Sequence, residues 1–106
     1  KPPKELHFQG NLELLKKPKI AIVGARKASQ YSRNFTLSLS SRLSKAGFVV
    51  VSGGALGIDI LAHEGSFPNT IGIMANSLDY IYPKTNEKLI KKMAEESLLL
   101  SEYFKG

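Results

Sequence analysis

Cysteine is absent from the 106-residue sequence, which excludes disulfides, thiolate chemistry and cysteine-ligated zinc and removes any argument for an oxidising compartment. Long apolar runs are absent too. The longest is no more than Phe48 to Val51, far short of the roughly 20 residues that span a bilayer. The N-terminus lacks the basic region and apolar stretch of a signal peptide, so a cytoplasmic protein without a membrane partner is expected. Acidic residues are scarce, nine against fifteen lysines and arginines, for a net charge of +6. A balance this basic in a small domain points towards a polyanionic partner.

What is present is an ordinary globular mixture, 42% hydrophobic and 23% charged, in a chain of one-domain length that buries a modest core. The positive charge is unevenly placed. Residues 1–45 carry ten basic and two acidic side chains, whereas residues 46–106 carry five and seven. The basic surface therefore belongs to the first loop and helix, although any single exposed lysine such as Lys16 or Lys91 is accounted for by solubility alone.

Lys19 to Gly24 reads as a buried strand, because β-branched residues run almost unbroken to a glycine. Tyr31, Phe35, Leu39 and Leu43 recur at the spacing of one helical face, and Gly47 stands where a C-cap glycine would. Phe48 to Ser52 is a second strand, Ile58 to Phe67 a helix broken at Pro68, and Thr70 to Met74 a third strand. An irregular connection, Asn76 to Pro83, leads to a helix over Asn86 to Glu96, with Leu89, Ile90, Met93 and Ala94 inward, and Leu98 to Ser101 is a fourth strand. The pattern βαβαβαβ predicts a Rossmann-like α/β fold, a parallel sheet of four strands with three main helices on both faces. Residues 1–17 form an entry segment packed on the domain of residues 18–106. Because open α/β sheets usually have more strands, the chain is expected to be the front part of such a domain.

In parallel sheets, ligands bind beyond the carboxyl ends of the strands. The first such loop is Gly24-Ala25-Arg26-Lys27-Ala28-Ser29. It occupies the place of a dinucleotide fingerprint, with Arg26 for the second glycine and Ser29 for the third. Arginine fills the space a pyrophosphate would need and offers its fork of donors to a phosphate from outside. A buried NAD is thereby disfavoured and no cofactor is expected. Ser29 reads as the helix N-cap, leaving N–H groups for an anion beside Arg26 and Lys27. A plain βα turn with exposed basic residues is the alternative.

The second loop, Ser52-Gly53-Gly54-Ala55-Leu56-Gly57, has the composition of a nest of backbone N–H groups for an anion. Its alternative is a tight turn in which glycines only permit positive φ, and a Walker A loop is excluded because no Lys-Ser or Lys-Thr follows. Asp59 and His63 share a helix face, where a structural hydrogen bond is favoured over a catalytic dyad or metal half-site. No catalytic residue and no metal are assigned. The third segment brings Asn76, Tyr80, Tyr82, Lys84, Asn86 and Lys88, a mixture suited to stacking bases and holding phosphates, with Tyr80 and Tyr82 equally compatible with the core. Asn86 reads as the N-cap that would place Lys88 near a positive helix end.

In order, Pro3-x-x-Leu6, Gly10-Asn11, Ile20 to Arg26, Tyr31-Ser32, Gly47 to Asp59, Ala62-His63, Leu78-Asp79-x-x-Tyr82-Pro83-x-x-Asn86 and Leu100 to Tyr103 resemble the bacterial DNA-processing protein A family, DprA or Smf. The resemblance implies a non-catalytic protein that binds single-stranded DNA, protects it in natural transformation and recombination, and loads RecA onto it. It assigns Arg26 to DNA, Ser52 to Gly57 to the phosphate pocket, and Tyr82-Pro83-x-x-Asn86 to its other wall. Lys88 is preferred over Lys84 as the pocket lysine. Ala25 departs from the family, which often has a hydroxyl residue there. The family's dimer surface and its arginine-rich segment are not found in this sequence, so a homodimer is implied only for the full-length protein. The competing reading is a nucleotide phosphoribohydrolase of the lysine-decarboxylase-like family, whose Pro-Gly-Gly-x-Gly-Thr-x-x-Glu signature is matched less well, since the threonine and the catalytic glutamate are missing.

Overall fold

A computed structural model describes residues 6–54, 57–74 and 86–101. Five strands form one sheet: β1 (His7–Gly10), β2 (Lys19–Ala21), β3 (Val49–Ser52), β4 (Thr70–Ile73) and β5 (Leu98–Ser101), in the order β1-β5-β4-β3-β2. The four strands expected from the pattern are β2 to β5, and all pair in parallel. The fifth comes from the entry segment. β1 runs antiparallel to β5, with His7 opposite Ser101 and Gly10 opposite Leu98.

Three α-helices connect the parallel strands, α1 (Gln30–Lys45), α2 (Ile58–Ser66) and α3 (Glu87–Glu96). Each crossover steps to the next strand in the same direction, so the right-handed rule sends all three helices to one face. Packing agrees. Ile90 and Met93 of α3 bury themselves on Leu99, with Ile60 of α2 alongside, whereas Val49, Ile71 and Leu98 point to the opposite face and meet Leu14. Leu14 belongs to a 3-10 helix, Leu12–Lys16, capped by Asn11, whose side chain accepts from the Glu13 N–H at 3.0 Å. Among the described residues, helices on both faces therefore means three α-helices on one and this 3-10 turn on the other.

One local expectation changes. β2 is an edge strand with exposed or half-buried side chains, not a buried one, because a β-branched run looks alike at a sheet's centre and its edge, and only strand order decides. The helical face of α1 is buried only in part. Leu39 and Leu43 are half-buried, but Tyr31 and Phe35 are 78% and 55% exposed.

Helix α1 lies on α2 through a glycine. A Cβ on Gly65 would stand 2.7 Å from the Leu37 carbonyl oxygen and collide with the Ser40 hydroxyl, so the absence of a side chain sets how closely the helices approach. Gly65→Ala is expected to destabilise the fold by about 1–3 kcal/mol through overpacking. Urea unfolding would show this as a lower midpoint at unchanged slope, and an unaltered midpoint would mean that the helices slide freely.

Candidate functional site

Because β2 to β5 are parallel, their carboxyl ends open on one edge of the sheet, and there the first two loops abut. The first loop follows Ile22, whose N–H still donates to the Val51 carbonyl at 2.9 Å. Ser52 ties the strands again, its buried hydroxyl donating to the Ile22 carbonyl. That hydroxyl is thus spent within the fold. Beyond it, the Ala25 carbonyl accepts from the Ile58 N–H at 3.2 Å, which takes up one of the free donors at the start of α2.

Gly57 is what lets the loops meet. Its φ is +85°, and a Cβ there would fall onto the carbonyl oxygens of Ala25 and Arg26. Gly24 is likewise pressed on the other neighbour, with the Ile58 side chain 2.7 Å from where its Cβ would be. The Arg26 and Lys27 side chains, their backbone thus fixed, stand exposed to solvent, and among the described residues no ion pair engages them. Ser29 caps α1 as its position implies, its hydroxyl accepting from the Ser32 N–H at 3.1 Å. The earlier N–H groups of the first turn remain for an anion.

The orientation of the second loop follows from His63. Its ring is fully buried, with Nε2 2.6 Å from the Gly53 carbonyl oxygen and Nδ1 2.6 Å from Thr70 Oγ1. In a planar trans peptide the carbonyl and the following N–H point opposite ways. With the Gly53 carbonyl turned inward onto His63, the Gly54 N–H is turned outward. Asn86 holds the next unit, its Nδ2 donating to the Gly54 carbonyl at 3.4 Å. Asn86 does sit at the N-cap position of α3, but its side chain makes no cap hydrogen bond and reaches back across the sheet instead. Lys88 is exposed in the first turn of α3. Asn76, Tyr82 and Lys84 lie outside the described residues.

The expectation for Asp59 and His63 was a structural hydrogen bond between them. His63 is structural, but its partners are Thr70 and Gly53, and with both ring nitrogens engaged neither is free for a metal. Burial lowers the His63 pKa below 6.5, against the raising effects of the Gly53 hydrogen bond and the Asp59 charge. The sign is fixed by linkage. The unfolded chain binds the proton more tightly, so this residue's contribution to stability is complete above about pH 6.5 and is lost as pH falls through the folded-state value. Urea midpoints should accordingly fall below pH 6.5, with a slope of at most about 1.4 kcal/mol per pH unit from this group. A midpoint unchanged between pH 7.5 and 5 would contradict it.

Outside the loop junction, a cleft of about 490 Å³ runs from Gly24 and Lys27 past Ser29 to Tyr31, Phe35 and Ile58. The Tyr31 and Phe35 rings stack 6.3 Å apart at 13°. The sequence pattern puts the pair on one apolar helical face without showing which part of that face is covered. The signal that marks it is its position, two aromatics one helical turn apart immediately after the Ser29 cap.

A parallel sheet with a basic first loop and a glycine-rich second loop at its carboxyl edge defines a class of Rossmann-like α/β proteins. Within it, the chain belongs to the DNA recombination-mediator protein A family, whose profile matches residues 1–106. DNA processing protein DprA of Bacillus subtilis is 39% identical over 106 residues, covering 96% of this chain and 36% of that protein. The DprA of Streptococcus pneumoniae is 39% identical over 107 residues, covering 98% and 38%. The chain thus spans less than two fifths of those relatives. Among solved structures, DNA processing protein A from Helicobacter pylori, described for its single-stranded DNA binding mode, superposes with a TM-score of 0.96 at 48% identity, covering 99% of this chain and 49% of that one. The S. pneumoniae DprA structure superposes with a TM-score of 0.88 over 95% of this chain and 36% of that one. The phosphoribohydrolase alternative gains no support from these matches.

Proposed function

We propose that this chain binds single-stranded DNA without chemistry of its own, holding the backbone at the junction of its first two loops. One observation carries the reading: the Gly57 contact brings the exposed Arg26 and Lys27 loop against a glycine loop whose Gly54 N–H faces outward. Cations neutralise phosphates, and oriented backbone donors complete the cradle. The 48% identity to a protein described as binding single-stranded DNA supports the choice of polymer. Gly24, Ala25, Ser29, Gly53 and Lys88 are proposed for the same surface, with the buried Asn86 behind it holding the Gly54 carbonyl and with Asn76, Tyr82 and Lys84 as its continuation. Within a longer chain this activity fits protection of incoming DNA during transformation and recombination, delivery to RecA, and a homodimer, in the cytoplasm.

The exposed Tyr31–Phe35 pair supplies what single-strand recognition needs beyond charge. Base-on-aromatic stacking contributes about 1–3 kcal/mol per base, so Tyr31→Ala should weaken binding roughly fivefold or more while Tyr31→Phe leaves it unchanged. Fluorescence anisotropy of a labelled dT oligonucleotide, with unlabelled duplex as competitor, tests the function. Preference for the single strand is expected, and equal competition by duplex would contradict it. An unchanged Tyr31→Ala would remove the stacking platform and leave the phosphate grip standing.

A further inference from the structure

His63 joins a buried chain of contacts that runs Gly53 carbonyl, His63 Nε2, His63 Nδ1, Thr70 Oγ1, Val50 carbonyl, at 2.6, 2.6 and 3.0 Å between successive groups. Both ends are carbonyl oxygens, which only accept. Three hydrogen bonds therefore need three protons from the imidazole and the hydroxyl. A neutral ring and a threonine supply two: Nε2–H serves Gly53, the Thr70 hydroxyl then serves either Nδ1 or Val50, and one contact is left without a proton. The imidazolium supplies the third. It would also face a carboxylate, since Asp59 is 91% buried, its Oδ1 has no hydrogen-bond partner, and its Oδ2 stands 2.8 Å from where a Gly53 Cβ would be.

Among the described residues, the surroundings of the ring are otherwise neutral. β3 and β4 offer Val50, Ser52 and Thr70 around it, and α1 meets α2 through Leu37 and Ser40 at Gly65. Among the described residues, Asp59 is the charged group whose field is felt at the ring. The free protein thus holds a network one proton short, kept so by the cost of charging a buried ring. A phosphate on the outward face of the same Gly53–Gly54 peptide adds a negative charge just where that cost is decided.

We propose that His63 is the positioning residue of the glycine loop and that it takes up a proton when a phosphodiester docks there. The proposal rests on the single-strand reading for its ligand but not for its proton chemistry. Since the ligand favours the protonated ring, affinity rises as pH falls towards the free protein's His63 pKa and declines as pH rises through the bound value. Each unit by which the ligand raises that pKa corresponds to a tenfold difference in affinity between the two protonation states.

NMR titration of the His63 ring, alone and with a dT oligonucleotide, tests this in the unaltered protein, with inorganic pyrophosphate as a second probe. The expected result is a His63 pKa raised by about a unit with either anion. Calorimetry in two buffers of different ionisation heat, at a pH between the free and bound His63 values, should show proton uptake, retained in His7→Gln and lost in His63→Gln. Thr70→Val removes the acceptor at Nδ1 while keeping the ring, and should reduce the uptake even if His63→Gln fails to fold. A His63 pKa that stays put while dT binds overturns the proposal and leaves the DNA reading intact. A pKa raised by pyrophosphate in a protein that ignores dT supports the proton coupling and overturns the DNA reading. A ring unmoved by either probe overturns the proposal.

Discussion

Arg26→Ala is expected to lower affinity for single-stranded DNA tenfold to a hundredfold, about 1.5–3 kcal/mol, with no loss of folded stability. The magnitude is that of one hydrogen-bonded charge contact, and the neutrality for folding follows from the side chain's exposure, since only its backbone carbonyl is used by the fold, at Gly57. Two further signatures separate a phosphate contact from a general loss of charge. The slope of log affinity against log salt should fall by about 0.7, the share of one phosphate on a single strand. Arg26→Lys should recover only part of the binding, because a point charge replaces a planar fork. Lys27→Ala, without that fork, should cost less. Wild-type affinity in the Arg26→Ala variant would place the DNA elsewhere.

Gly57→Ala carries the largest expected effect on the fold, on the order of 3–5 kcal/mol, from positive φ and a collision with two backbone carbonyls. Backbone oxygens cannot rotate away as a side chain can. The first loop must lift off α2 or α2 must start later, and either way the Ile58 to Ala25 hydrogen bond is lost. In a domain of this size the melting temperature should fall by more than about 10 °C. DNA binding measured well below that temperature should fall as well, because the two halves of the grip lose their common anchor. An alanine variant with native stability would mean that the two loops are not in contact at Gly57.

What was legible in the sequence was what short-range pattern determines. β5 falls at Leu98–Ser101 as read, because three leucines between serines leave no other choice. α3 buries Ile90 and Met93 because its apolar residues recur at helical spacing. Ser29 caps its helix because a serine before the periodic residues is a local signal. What failed depended on distant partners. His7–Gly10 carries no strand alternation and becomes β1 only because β5 offers an unpaired edge. β2 reads as buried because sequence shows hydrophobicity but not which strand lies at the sheet's edge, and the exposure of the Tyr31–Phe35 pair is not readable from helical spacing. Asn86 satisfies the residue preference of a cap yet spends its amide on Gly54, 32 positions earlier. The site itself was half legible: the loops were identifiable from Arg26 and the glycines, but the outward turn of Gly54 comes from a histidine whose partners no spacing rule names.

The central claim is that a strand's phosphates lie at the junction of the first two loops, and amide chemical-shift mapping during titration with a dT oligonucleotide tests it most directly. The amides of Gly24, Lys27, Gly53, Gly54 and Gly57 are expected to move first and furthest, with Tyr31 and Lys88 following. Shifts confined to the 3-10 helix Leu12–Lys16 or to the Ala46–Gly47 turn, with the loop amides still, would contradict it.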